Sequence, residues 1–476
     1  MKQRSLSNIL STLLLTAFLT VGISSCSSSD EPPVKPDDKK EIVMTDRHGN
    51  QLTVESKSGI PEIGDAARPD GRFELPDGTV IVVKNGKITE ISEWEEVANR
   101  TILVYMVAAN SLGSGNYDMR DIAEMQIAAL NGHLEGNHLL VYHHNYKGEP
   151  VLKEIKDGTG EIDTLKVYSS TPSSLSIARM EEVISDMKSL APAKDYGMVM
   201  WSHANGWLVM NNSGELSVMG RSRGDDYAIS TLAFGEDQSS GTTYYMNTGD
   251  LGTALRGKEL SFIFFDCCYM ASVEAMYDLR ETAPLIGGSV AEIIAEGMPY
   301  QITLPYLFAE GEADFVGAVN ADYEYVNAMS GYNRTGTFSI MDMAQIDNLA
   351  KACKEVYSYG PVYPSDFRPQ KFMYESTCYF YDLAHMLENL ELKGEDVDES
   401  LLVKFEEARQ KALEQIDKTV IFKANTPYIW PGTSDQTAIN HHCGLSAQFL
   451  RDASGASSRG YNQTAWWNDV ASYMFE

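Results

Sequence analysis

Cysteine is scarce in this chain, 6 in 476 residues, and Cys26, Cys267, Cys268, Cys353, Cys378 and Cys443 follow no regular spacing. That pattern argues against a disulfide scaffold and against a Cys-x-x-Cys metal knuckle. Positive charge is also thin: 38 Lys and Arg face 67 Asp and Glu, a formal net charge of −29. Nucleic acid and acidic polymers are therefore poor partners, whereas the excess acid suits basic peptides or serves solubility alone. After Ile23 no apolar run is long enough to span a membrane, and no internal repeat is present. Gly113-Ser114-Gly115 lacks both the third glycine and the Lys-Ser/Thr of a phosphate cradle. Metal ligands lack the needed spacing: His143-His144 and His441-His442-Cys443 are adjacent residues that face opposite ways on a strand, and no paired acid supports them. The residues predict no metal and no cofactor.

What is present divides the chain into five stretches. Residues 1–26 read as a signal segment: Lys2 and Arg4 precede an uncharged run from Ile9 to Ile23, which suits a signal h-region. Ile23-Ser24-Ser25-Cys26 resembles a bacterial lipobox, so the expectation is cleavage before Cys26, lipid on its thiol, and export to the outer membrane or cell surface; an uncleaved signal anchor is the alternative. Residues 27–41, with Pro32, Pro33 and Pro36 among charges, read as a tether. Residues 42–99 read as a small β-hairpin unit, with turns at Asp46 to Asn50, Asp77-Gly78 and Asn85-Gly86, serving as spacer, pocket cover or pro-segment. From residue 100 to 343 strands alternate with helices, the rhythm of an α/β fold on a mostly parallel sheet. Its expected strands include Ile102 to Ala108, His138 to His143, Leu285 to Val290 and, last in the sheet, Thr337 to Met341. Ser173 and Ser174 are candidate caps for a helix with Ile177, Met180, Ile184 and Met187 on one stripe. Residues 344–476 read as a mixed C-terminal subdomain, with one helical stripe of Ile346, Leu349, Cys353 and Val356 and another of Leu402, Phe405, Ala412 and Ile416.

Chemistry concentrates at two strand ends. Ser261 to Phe265 is a short apolar, aromatic run that stops at Asp266-Cys267-Cys268, and from Ala271 the period becomes helical. A thiol between a strand's carboxyl end and a helix's amino end lies where open α/β sheets bind ligands, and where the helix dipole favours thiolate. Tyr196 to Trp201 is a second buried-strand run, ending in Ser202-His203-Ala204-Asn205-Gly206-Trp207. Neighbouring parallel strands ending in His and Cys put imidazole and thiol over one edge of the sheet. A lone Cys after a strand is more often a small buried hydrophobe, and it is the pairing with His203 that favours chemistry.

Those two segments carry a resemblance to the clostripain family of cysteine peptidases. Ser202 to Trp207 resembles the family's S-H-G-x-G-W, and Phe265 to Glu274 resembles F-D-A-C-L-M-x-S-x-E; similarity extends from about Thr101 to the end through Gly297-Met298-Pro299-Tyr300, Phe338 to Asp342 and Cys443 to Ser446. The resemblance implies a caspase-like fold and an endopeptidase that cleaves after basic residues with a Cys-His dyad. It makes Cys268 the nucleophile, Cys267 standing at the family's alanine, and His203 the general base. The N–H groups of Ala204 and Cys268 become the oxyanion donors, and Asp266 with Glu296 the acids for a basic P1 side chain, arginine over lysine. Some relatives require calcium, and the sequence leaves that open here. Ala204 replaces a glycine, and Glu296 is one methylene longer than the family's aspartate. The long 208–250 connection contains Arg221 and Arg223, candidate self-cleavage sites by the same resemblance, or an ordinary surface loop. The alternative function is a surface lipoprotein that keeps the scaffold without turnover and holds peptide or glycan.

Overall fold

The computed structural model describes residues 39–46, 49–76, 79–93, 97–208, 234–373, 378–394 and 397–476. The signal segment with Cys26, nearly all of the tether, the Asp77-Gly78 turn, and Arg221 and Arg223 lie outside them. The chain divides after Glu96 into two compact units.

The first unit is a six-stranded antiparallel sheet between Lys40 and Glu93. Asp46 to Asn50 joins its first two strands, with the Asp46 carboxylate accepting the Asn50 N–H, and Asn85-Gly86 joins its last two. Alternation along these strands buries Leu52, Val54, Phe73, Ile81, Val83 and Ile88 in a small core of their own.

The second unit is built on nine strands: β1 (Ala98–Ala108), β2 (His138–Asn145), β3 (Val151–Ile155), β4 (Ile162–Val167), β5 (Ala193–Trp201), β6 (Phe262–Asp266), β7 (Leu285–Gly288), β8 (Thr337–Asp342) and β9 (Val420–Asn425). Their order across the sheet is β4-β3-β2-β1-β5-β6-β7-β8-β9. The five central strands, β2 to β7, are parallel, and each flank adds two antiparallel strands. The sheet is therefore mixed, with its parallel part where the sequence places His203 and Cys268. The strand Thr337–Asp342 is not the last: β9, from the stretch read as a separate C-terminal subdomain, extends the sheet beyond it.

Among the helices that cover the sheet are α1 (Tyr117–Leu130), α2 (Ile177–Leu190), α3 (Val273–Leu279), α4 (Tyr300–Leu307), α5 (Phe315–Ala328), α6 (Ile346–Tyr357) and α7 (Glu399–Thr419). Because successive strand residues face opposite ways, Ile102, Val104 and Met106 of β1 pack with α1, α4 and α5 in one core. Leu103, Tyr105 and Val107 pack with α2, α3, α6 and α7 in the other. Helix α2 is capped by Ser176, whose hydroxyl accepts the Arg179 N–H. Ser173 and Ser174 are engaged elsewhere, with Asp237 and with His144. In α7 the buried stripe is Phe405, Ala408, Ala412 and Ile416, while Leu402 is exposed. Cys353 is buried in α6 as a packing residue.

One buried cation ties the lower edge together. Arg100, at the start of the buried part of β1, pairs with Asp195 at 2.6 Å and donates to the carbonyls of Leu307, Ala309 and Gly311. Truncating it orphans a partly buried carboxylate and three carbonyl oxygens. Arg100→Ala is expected to lower unfolding free energy by about 3 kcal/mol, read as a shift in the urea midpoint of the full chain at unchanged m-value.

Candidate active site

The register of β5 and β6 brings the two motifs level. Trp201 pairs with Asp266 across the parallel ladder, and His203 and Cys268 each stand two residues further on. Beyond β5 the chain turns at Gly206, whose φ is +59°. A Cβ there would lie 2.6 Å from the Tyr269 carbonyl oxygen, so the turn needs a glycine for both conformation and space. Ala204 keeps an ordinary negative φ. It forms an isolated bridge opposite Phe234, closed by the Gly235 N–H donating to the His203 carbonyl. Among the described residues neither the Ala204 nor the Cys268 N–H donates to a backbone carbonyl.

The two adjacent thiols differ sharply. Cys267 points into the core, and burial pushes its thiol well up. Cys268 is partly exposed, whereas Cys267, Cys353, Cys378 and Cys443 are all buried. Its Sγ accepts the Ile293 N–H at 3.4 Å. Burial, then the Glu292 carboxylate, raise the Cys268 thiol far above its usual range. His203 is held by Ser111, whose hydroxyl lies 2.7 Å from Nε2, and burial lowers the imidazole's proton affinity. Neutral imidazole and neutral thiol are thus the resting forms, and no hydrogen bond joins them among the described residues. The residue after the nucleophile position, Tyr269, has a φ of +61°, strained for a bulky side chain. Its ring is stacked on Phe380 at 4.6 Å.

Asp266 ends β6 as a buried carboxylate, accepting the Met298 N–H at 3.0 Å and the Tyr300 hydroxyl at 2.9 Å. Burial raises its pKa to about 6 against those two donors. Gly297 lies over it at φ +62°, where a Cβ would come within 2.9 Å of both carboxylate oxygens. Asp266 lines a narrow crevice of about 20 Å³ together with Phe264, Ile293, Val326, Phe338 and Asp322 of α5. Ile293 belongs both to this crevice and to the thiol's hydrogen bond. Glu296 is half-buried and does not line the crevice; its charge bears on Tyr325.

Sequence reasoning missed Ser111, Glu292, Ile293 and Asp322. Ser111 had a signal, because Asn110-Ser111 follows the end of β1, the strand beside β5, by the same rule that picked His203. His143 and His144 face opposite ways as expected: His143 pairs with Asp118 at 2.8 Å and touches Lys153, while His144 bonds Ser174. No group of three metal-ligating side chains occurs among the described residues.

The family model of the clostripain family matches residues 104–381. A secreted cysteine protease of Bacteroides thetaiotaomicron, iotapain, is 23% identical, superposes with a TM-score of 0.64, and is covered over 99% of its length by 79% of this chain. An inactive zymogen protease of Parabacteroides distasonis is 26% identical with a TM-score of 0.61, again over 79% of this chain and 99% of the other. Among curated proteins none matches this chain.

With four of the five described cysteines buried, iodoacetamide is expected to modify the native described region once. Cys268→Ala should abolish that modification and Cys267→Ala should not. The rate at pH 7 should fall below that of a free cysteine and keep climbing beyond pH ~9, because thiolate is the reacting form. Peptide mapping by mass spectrometry against pH reads both, and a rate plateau at neutral pH would contradict the raised thiol.

Proposed function

Because the chain belongs to the clostripain family of cysteine peptidases, we propose that it is an exported, lipid-anchored endopeptidase that cuts after basic residues with Cys268 and His203. The observation that supports this reading is the pairing of Trp201 with Asp266, which brings the segments carrying His203 and Cys268 level at the ends of adjacent parallel strands. The Cys268 thiolate attacks the scissile carbonyl carbon to form a tetrahedral intermediate, whose oxyanion accepts from the N–H groups of Ala204 and Cys268. His203 takes the thiol proton and gives it to the leaving amine, so the C–N bond breaks and a thioester remains. Water, deprotonated by the same imidazole, hydrolyses that thioester and restores the thiol.

Ser111 acts as the positioning residue. Its hydroxyl on Nε2 leaves Nδ1 as the nitrogen for proton transfer and fixes the plane of the ring. The resting thiol, bonded to Ile293 and protonated, has to leave that partner for His203 when substrate enters. A basic P1 side chain suits the buried Asp266 crevice next to Ile293. Export and lipid on Cys26 rest on the lipobox-like Ile23-Ser24-Ser25-Cys26, and the Bacteroides thetaiotaomicron relative is described as secreted. No cofactor enters this scheme, and a calcium requirement is decided by assay with and without chelator.

Fluorogenic peptides that differ only at P1 test the activity. Arginine and lysine should be cut well above leucine or glutamate, Cys268→Ala should abolish turnover, and His203→Ala should reduce kcat by about 10²- to 10⁴-fold. A preference for apolar or acidic P1 would overturn the specificity. For the anchor, the full-length protein should sediment with membranes and Cys26→Ala should remain unprocessed or become soluble. A soluble wild type that retains Met1 would refute lipidation.

A further inference from the structure

Helix α5 delivers one acid into an apolar setting. Its buried face carries Phe315, Ala318, Val319, Asp322 and Val326, so Asp322 occupies a position in the helical stripe that the period assigns to a hydrophobe. The residue is 5% exposed and opens on the crevice beside the thiol. Among the described residues no donor hydrogen-bonds its carboxylate and no cation pairs with it; the one charge it meets is that of Asp266, of like sign. Asp266 is differently placed, since the Met298 N–H and the Tyr300 hydroxyl already occupy one oxygen each. An acid buried without donors is costly, and native structures keep such a group where a ligand supplies the missing partner.

Resting on the reading of the protein as a peptidase for basic P1 residues, we infer that Asp322, and not Glu296, meets the charged end of the P1 side chain. The crevice is narrow at rest, and Phe264, Val326 and Phe338 part to take a methylene stem between apolar walls. At its end the Asp322 carboxyl, free of other donors, releases its proton to solvent as the cation enters, and its two oxygens accept a guanidinium in parallel, which favours arginine over the single charged point of lysine. Asp266 forms the wall: its charge adds to the attraction, but its hydrogen bonds hold the loop from Glu292 to Met298 rather than the substrate. The crevice is therefore divided between an acid that builds it and an acid that reads its occupant.

Calorimetric titration of the full chain with n-butylguanidinium, the arginine side chain without a peptide, tests this apart from turnover. Wild type should bind it more tightly than n-butylammonium, and Asp322→Asn should weaken it by about 30-fold or more. Asp322→Glu should restore part of the loss. Because burial and the Asp266 charge push the Asp322 carboxyl well up, so that it rests protonated, Asp322→Asn exchanges one neutral group for another of the same shape, and its Tm should match that of wild type. Failure of wild type to bind, unaltered binding by Asp322→Asn, a fall in its Tm, or a loss carried by Glu296→Gln instead would overturn the inference. A chain that cuts after arginine with an unchanged kcat/KM in Asp322→Asn defeats the inference and leaves the peptidase reading standing. A chain that binds the guanidinium through Asp322 yet cuts no arginine peptide does the reverse.

Discussion

The buried carboxylate of Asp266 is the constraint on which the rest of the site depends. It closes β6, and through one hydrogen bond to Met298 and another to Tyr300 it pins the loop that follows β7 and the first turn of α4. That loop presents the Ile293 N–H to the thiol and the Glu292 carboxylate to Trp430 at 3.0 Å. Gly297 completes the arrangement because a side chain there would collide with the carboxylate. A neutral residue at 266 keeps the strand but gives up charge-assisted hydrogen bonds, worth more than neutral ones in a buried setting. Asp121 shows what happens to an acid nearby with less help. Its chief donor is the Trp201 indole at 2.6 Å, and burial, with the Asp266 charge next, raises its pKa to about 9. Asp121 is thus neutral at physiological pH while Asp266 is largely charged, because Asp266 has two donors and Asp121 has the Asp266 charge beside it and one chief donor.

The imidazole of His203 and the thiol of Cys268 are each engaged by another group in an ordinary hydrogen bond. Ser111 lies on Nε2 of the imidazole and the Ile293 N–H lies on the thiol. Strain is stored next door, at Tyr269, where a left-handed backbone is kept in place by stacking on Phe380. Phe380 also packs on Trp207 after the His203 turn, with ring centroids 6.3 Å apart. One aromatic side chain therefore braces both motifs, and it comes from the stretch the sequence alone presents as a separate subdomain.

Strand ends were legible because burial imposes continuous apolar runs on central parallel strands, and those runs stop where chemistry begins: Tyr196 to Trp201 and Ser261 to Phe265 need no partner to be recognised. The flanks were harder to read. β9 carries Lys423 between Phe422 and Ala424 and has exposed Ile421, so its pattern is that of an edge strand following a long helix, and only β8 gives it a place. Ser173 and Ser174 lost the cap to Ser176 because their hydroxyls are taken by tertiary partners, Asp237 and His144. Glu296 was read from its place before Gly297, but a side chain's direction in an irregular loop has no period to reveal it. Asp322 did have one. An acid at the seventh residue after Phe315, with Val319 and Val326 on the same stripe, conflicts with the helix around it, and such conflicts mark sites where stability has yielded to something else.

The pairing of β8 with β9 sets an order of assembly. Thr337 lies opposite Asn425, so one edge of the sheet is closed only when a segment some eighty residues further along the chain arrives. As the polypeptide leaves the ribosome, β8 emerges first, with an unpaired row of N–H and C=O groups beside the central strands. Long-range pairing of this kind slows folding and leaves an open edge for other chains to join. The crevice on α5 and the β8 side of the sheet thus matures late, after the two motif strands have already met. The order in which the chain is made puts the Cys268 strand in place before the crevice beside it is complete.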